Sequence, residues 1–191
     1  MIRKSLALLL FTGLMAEIAS AGSALFTSTA TVAANSFTTG TVVISTNPTT
    51  ALVTFSNMAP GDQVTAPIVV TNNGTLQMRY AITSLADNTD SKGLRTQLVM
   101  TIKSSVTTCT NGGFGSSGSQ LYTGALGNSP ATNVVGDPTA GSQAGDRTVN
   151  ASANETLCFN VSLPSGTGNS FQNATTTATF TFSGEQTTNN P

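Results

Sequence analysis

Residues 55–82 read FSNMAPGDQVTAPIVVTNNGTLQMRYAI. The stretch holds the end of one strand, a turn at Pro60, Gly61 and Asp62, and a second strand through Ile68, Val69 and Val70. A turn at Asn72, Asn73 and Gly74 follows. Proline presets φ, and glycine and asparagine accept positive φ, so both turns have suitable chemistry. A third strand then alternates Leu76, Met78, Tyr80 and Ile82 with Gln77, Arg79, Ala81 and Thr83. That period of two predicts one buried and one wet face, and the whole stretch predicts a β-meander.

Working outward, the composition agrees. Only 8% of the 191 residues are charged, against about 25% in ordinary globular domains. Thr, Ser, Asn and Gly make up the difference, and these favour strands and turns. The formal net charge is −1. With no basic block, there is no patch to neutralise nucleic-acid phosphates.

Residues 1–24 have the form of a secretory signal: a positive start at Arg3 and Lys4, a short apolar run, and small-x-small sites ending at Ala21 and Ala24. No membrane association is expected after its removal. Residues 25–35, LFTSTATVAAN, are uncharged and read as an N-terminal strand or leader. Strands are expected over 41–46, 51–56, 96–106, 155–163 and 174–183. In 155–163, Leu157, Phe159, Val161 and Leu163 should face inward, which turns Cys158 outward. Residues 186–191 read as a frayed polar tail.

Residues 109–152 form a glycine-rich excursion from the 36–185 domain, with one short strand expected over 120–125. The two cysteines, Cys109 and Cys158, flank it. An extracellular setting would make them one disulfide; two buried free thiols are the alternative. Eight or nine short strands at this spacing predict an all-β fold, a two-sheet antiparallel β-sandwich of jelly-roll type.

Several segments together carry a resemblance. After the signal come Leu25-Phe26-Thr27-Ser28, then SFTTGT over 36–41, SNMAPGD over 56–62 and NNGTL over 72–76. Residues 168–172, 180–182 and 185–187 add to it at the other end. The chain resembles the TasA/camelysin family of secreted proteins, released by a SipW-type signal peptidase, over roughly residues 1–85 and 155–190. The resemblance implies a jelly-roll fold and a place in biofilm matrix fibres. It also implies self-association into filaments, or association with related matrix proteins, in the extracellular matrix or at the cell surface. In the fibre formers an N-terminal strand of one subunit completes a sheet of the next. Here that donor strand would include Leu25, Phe26, Thr29, Thr31 and Val32. An added strand satisfies the open backbone groups of a sheet edge.

Camelysin is classed as a metallopeptidase, but this chain has no histidine. A His-Glu-x-x-His zinc helix and any His-dependent triad are therefore excluded. Asp87, Asn88 and Asp90 do not follow the spacing of an EF-hand loop. No catalytic residue, metal ligand or cofactor is expected. The reading is a non-enzymatic structural protein. A monomeric cell-surface binding module and a camelysin-like secreted endopeptidase are the alternatives.

Overall fold

A computed structural model describes residues 28–31, 34–50, 52 and 56–190. The signal and the strand expected over 51–56, apart from Leu52 and Ser56, lie outside the described residues, as do Leu25, Phe26 and Val32 of the expected donor strand. The chain divides into two units, Met1–Thr38 and Thr39–Pro191. In the first, residues 28–31 and 34–38 are exposed and carry no helix or strand, Thr29 and Thr31 among them.

The second unit is a two-sheet antiparallel sandwich. Its described strands are β1 (Ile44–Asn47), β2 (Gln63–Asn72), β3 (Met78–Ala86), β4 (Val99–Ser104), β5 (Ser119–Ala125), β6 (Thr132–Val135), β7 (Arg147–Val149), β8 (Asn154–Ser162) and β9 (Ala178–Gln186). One sheet has the order β1-β2-β8-β4-β5. In the other, β9 pairs along all of β3, so β6 and β7 share the opposite edge, at Ile82–Ser84 and Met78–Tyr80 respectively. This order establishes the sandwich expected from the sequence, though not the jelly-roll winding.

The expected meander does not form. β2 pairs with β1 and β8, whereas β3 belongs to the other sheet. Residues 73–77 carry the chain from one sheet to the other. Alternation reports which face of a strand is buried, not which strand lies beside it. The turn residues serve this crossing. Gly74 is buried, and a Cβ there would lie 2.3 Å from the Thr41 carbonyl oxygen. Gly61, at φ 101°, lets the Pro60-Gly61-Asp62 turn bend back so that its N–H donates to the Leu163 carbonyl at 2.7 Å. Among the described residues, Pro67 falls where β2 has a strand partner on one side only, since β1 reaches no further than Val69.

The core lies between the sheets. Ile68, Val70, Met100, Ile102, Leu157 and Phe159 come from one, and Met78, Tyr80, Ile82, Phe180 and Phe182 from the other. Phe159 and Phe180 meet across the gap, ring centroids 5.3 Å apart at 64°. Leu157, Phe159, Val161 and Leu163, expected to face inward, are buried, as are Leu98, Met100 and Ile102.

Three expectations need correction. Residues 94–97 form a helical turn, α1 (Leu94–Gln97), before β4 begins. The 109–152 region supplies three strands, β5 to β7, not one. The tail is held, not frayed: Thr187 donates through its N–H to the Gln77 carbonyl, and Arg79 donates to the Asn190 carbonyl.

Asn72 ties the crossing together. Its side chain is fully buried. Nδ2 donates to the carbonyls of Leu76 at 2.8 Å and of Val149 and Asn150 at 3.2 Å, while Oδ1 accepts from Gly74 N–H at 2.9 Å. Replacing it with alanine leaves these buried groups unmatched. Asn72→Ala should therefore cost about 2–3 kcal/mol in urea unfolding; a loss within about 0.5 kcal/mol, as for a neutral surface change, would contradict this role.

Candidate functional site

Where polar side chains gather in this sandwich, they join its parts. At one end, β7 of one sheet meets β8 of the other. Tyr80 Oη donates to Glu155 Oε2 at 2.7 Å, Arg147 Nε donates to the same oxygen at 3.3 Å, and a second Arg147 nitrogen pairs with Glu155 Oε1. Burial, and then the Glu155 carboxylate, push the Tyr80 hydroxyl far above the ordinary tyrosine range.

On the outer face of β3, Arg79 stands directly across from Glu185 of β9 and donates to it at 2.7 Å. Glu185 also accepts from the Gly141 N–H at 3.1 Å, drawing the segment between β6 and β7 over this face. Arg79 and Ala81 are consequently buried, although the alternation of β3 placed them in water. A pocket of about 150 Å³ remains beneath the segment, lined by Arg79, Ala81, Asp137 and Glu185 among others.

The Cys109–Cys158 disulfide is formed, with Cα atoms 5.7 Å apart and a sequence separation of 49. Closing a loop of this length stabilises by about 4 kcal/mol in the chain-entropy account. Cys158 points to the outer face of β8, beneath the turns that follow β4. Two further contacts hold those turns. Lys103 Nζ donates to the Phe114 carbonyl at 2.9 Å and lies 4.6 Å from the Phe114 ring centroid, and Asn111 Nδ2 donates to the Gln63 carbonyl. Sequence reasoning found the disulfide but not these contacts, because Lys103 and Asn111 carry no local pattern that marks a partner.

A groove of about 510 Å³ lies between β5 on one side and β6 with the start of β7 on the other.

The described carboxylates leave little for metal chemistry. Asp62 accepts from Ala59 N–H, Asp87 from Thr177 N–H, and Asp90 from Lys92 and Thr175 N–H. Asp137 accepts from Thr139, and Asp146 from Asp137 and Gln143 N–H. With Glu155 and Glu185, all seven described acids hold structural partners. Among the described residues no three His, Cys, Asp or Glu side chains gather as a ligand set. The sequence has no histidine, and both cysteines are in the disulfide. A catalytic zinc does not fit this donor set. Among the described residues no helix is long and apolar enough to cross a membrane.

Residues 1–103 match the family described as camelysin metallo-endopeptidase, more than half of the chain. The chain belongs to this family. The family includes the TasA-type proteins, and its members are generally extracellular or surface-associated. The matched residues contain the Pro60-Gly61-Asp62 turn and the Asn72-Asn73-Gly74 crossing. No curated protein matches the chain. Among solved structures, the ASH/PapD-like domain of human CEP192 (PapD-like domain 7) is similar at 11% identity and a TM-score of 0.32. That match covers 85% of this chain and 97% of that one, and a likeness this distant carries no argument.

The Tyr80 clamp sets an alkaline limit. Above about pH 10 the unfolded chain loses the tyrosine proton while the folded chain keeps it. Stability should be fully present below that pH and fall as pH rises beyond it. Tyr80→Phe should flatten most of this fall in urea midpoints measured from pH 8 to 11. An unchanged slope would show that Tyr80 does not carry it.

Proposed function

We propose that the chain is a secreted structural subunit of extracellular matrix or surface fibres, assembled by donation of the 25–35 strand to a neighbouring subunit. The observation that carries this reading is membership of the camelysin family over residues 1–103, which include that segment. Three features support it. Residues 25–35 are uncharged and contain no proline, as suits a strand added to a sheet edge. The described part of the segment, residues 28–31 and 34–35, is exposed and takes no helix or strand. The described carboxylates accept hydrogen bonds from the sandwich's own groups.

The purified chain starting at Leu25 should form filaments at rising concentration, seen by negative-stain electron microscopy. The same chain lacking residues 25–35 should stay monomeric. Filaments of undiminished length and number from the shortened chain would refute strand donation.

The family description favours a second reading, a metallo-endopeptidase. The donor chemistry opposes it: no histidine, oxidised cysteines and carboxylates held by backbone N–H groups, Tyr80 and arginines. Casein incubated with the pure chain should remain intact with or without added zinc. Cleavage that a chelator abolishes would establish the enzyme.

A further inference from the structure

We propose that the Cys109–Cys158 disulfide is a redox latch: a dithiol partner reduces it by attack at Cys109, which frees residues 105–118 from the outer face of the five-stranded sheet and leaves the sandwich folded.

Residues 105–118 join β4 to β5 and turn back over the sheet. Cys158 sits between the inward Leu157 and Phe159, so it faces out, yet it is only 1% exposed. Phe114 is buried as well. Neither belongs to the core between the sheets. Much of the bonding in the segment is to itself: Thr107 N–H donates to Ser117 Oγ and Phe114 N–H to the Thr110 carbonyl, both at 2.9 Å. Among the described residues, its hydrogen bonds to the sheet are those of Lys103 Nζ to the Phe114 carbonyl and of Asn111 Nδ2 to the Gln63 carbonyl. The segment is therefore a strap laid on a sandwich whose core is complete without it, and the disulfide is its covalent tie.

The two sulfurs differ in access and in setting. Cys109 is half-buried and Cys158 is closed to solvent, so a partner reaches the bond from the Cys109 side. Lys103 of β4 stands directly across from Cys158 of β8, and opposed side chains on neighbouring strands lie roughly 5 Å apart at Cβ. A thiolate of the partner attacks Cys109 Sγ and forms a mixed disulfide. The Cys109–Cys158 bond breaks, and its electron pair leaves on Cys158 Sγ, where the Lys103 ammonium stabilises the thiolate. The partner's second thiol then displaces Cys109. The partner ends as a disulfide, and the chain, having gained two electrons and two protons, ends with two thiols. As Lys103 turns to the thiolate it releases the Phe114 carbonyl, so the chemistry that cuts the covalent tie also loosens a second one.

Hydrogen–deuterium exchange on the chain starting at Leu25, with and without dithiothreitol, tests the latch. Reduction should speed exchange of the amides in 105–118 by about tenfold or more, while those of β2, β3 and β8 keep their protection. Loss of protection throughout the sandwich would make the disulfide a staple of the whole fold and overturn the proposal. Unchanged exchange in 105–118 after reduction, or a disulfide that dithiothreitol cannot reduce in the folded chain, would overturn it as well. With glutathione, the mixed disulfide recovered by peptide mass analysis should sit on Cys109; glutathione on Cys158 would reverse the direction of attack and contradict the mechanism. Lys103→Gln should slow reduction by about tenfold and Lys103→Arg should restore the rate. An equal or faster rate in Lys103→Gln would remove Lys103 from the step.

Discussion

The buried Asn72 amide is the contact on which the sandwich depends. One side chain closes four backbone groups at the point where the chain leaves one sheet for the other. Without it, the crossing would bury carbonyls and an N–H with no partner, a cost that apolar packing alone does not offset. Because Val149 and Asn150 share the amide, the end of β7 is fixed to the same point. The register of β3 against β7 and β9 follows, and with it the inward placement of Met78, Tyr80 and Ile82. The Phe159–Phe180 contact and the Tyr80–Glu155–Arg147 clamp both require that placement.

The scarce charges are used in the same way. Arg79 and Glu185 hold the β6–β7 segment, Arg147 and Glu155 join the two sheets, and Asp87 and Asp90 fasten residues 175–177. Every described carboxylate is thus a structural acceptor.

Much of this fold was legible in the sequence, and the exceptions have physical causes. Alternation in residues 78–82 and 157–163 marked the core because a half-buried strand needs it. The same alternation could not show that β2 and β3 lie in different sheets, since the next strand in sequence need not be the next in space. β6 and β7 are four and three residues long and sit among glycines, too short for any period to emerge. Arg79 read as a wet residue because its cover comes from residues more than fifty positions away. Asn72 read as turn chemistry; no local pattern separates a turn asparagine from one that is buried and bonded four ways. Of the candidate site residues, Cys109 and Cys158 are joined as the cysteine count allowed, and the two turns lie at the ends of β2.

The central claim is that residues 25–35 of one copy add as a strand to a sheet edge of the next. A helical reconstruction of fibres grown from the chain starting at Leu25, at a resolution that traces the backbone, measures it most directly. The account predicts an extended segment with the side chains of residues 25–35, paired along a sheet edge of the adjacent subunit. A reconstruction in which residues 25–35 pair with no neighbouring subunit would contradict it.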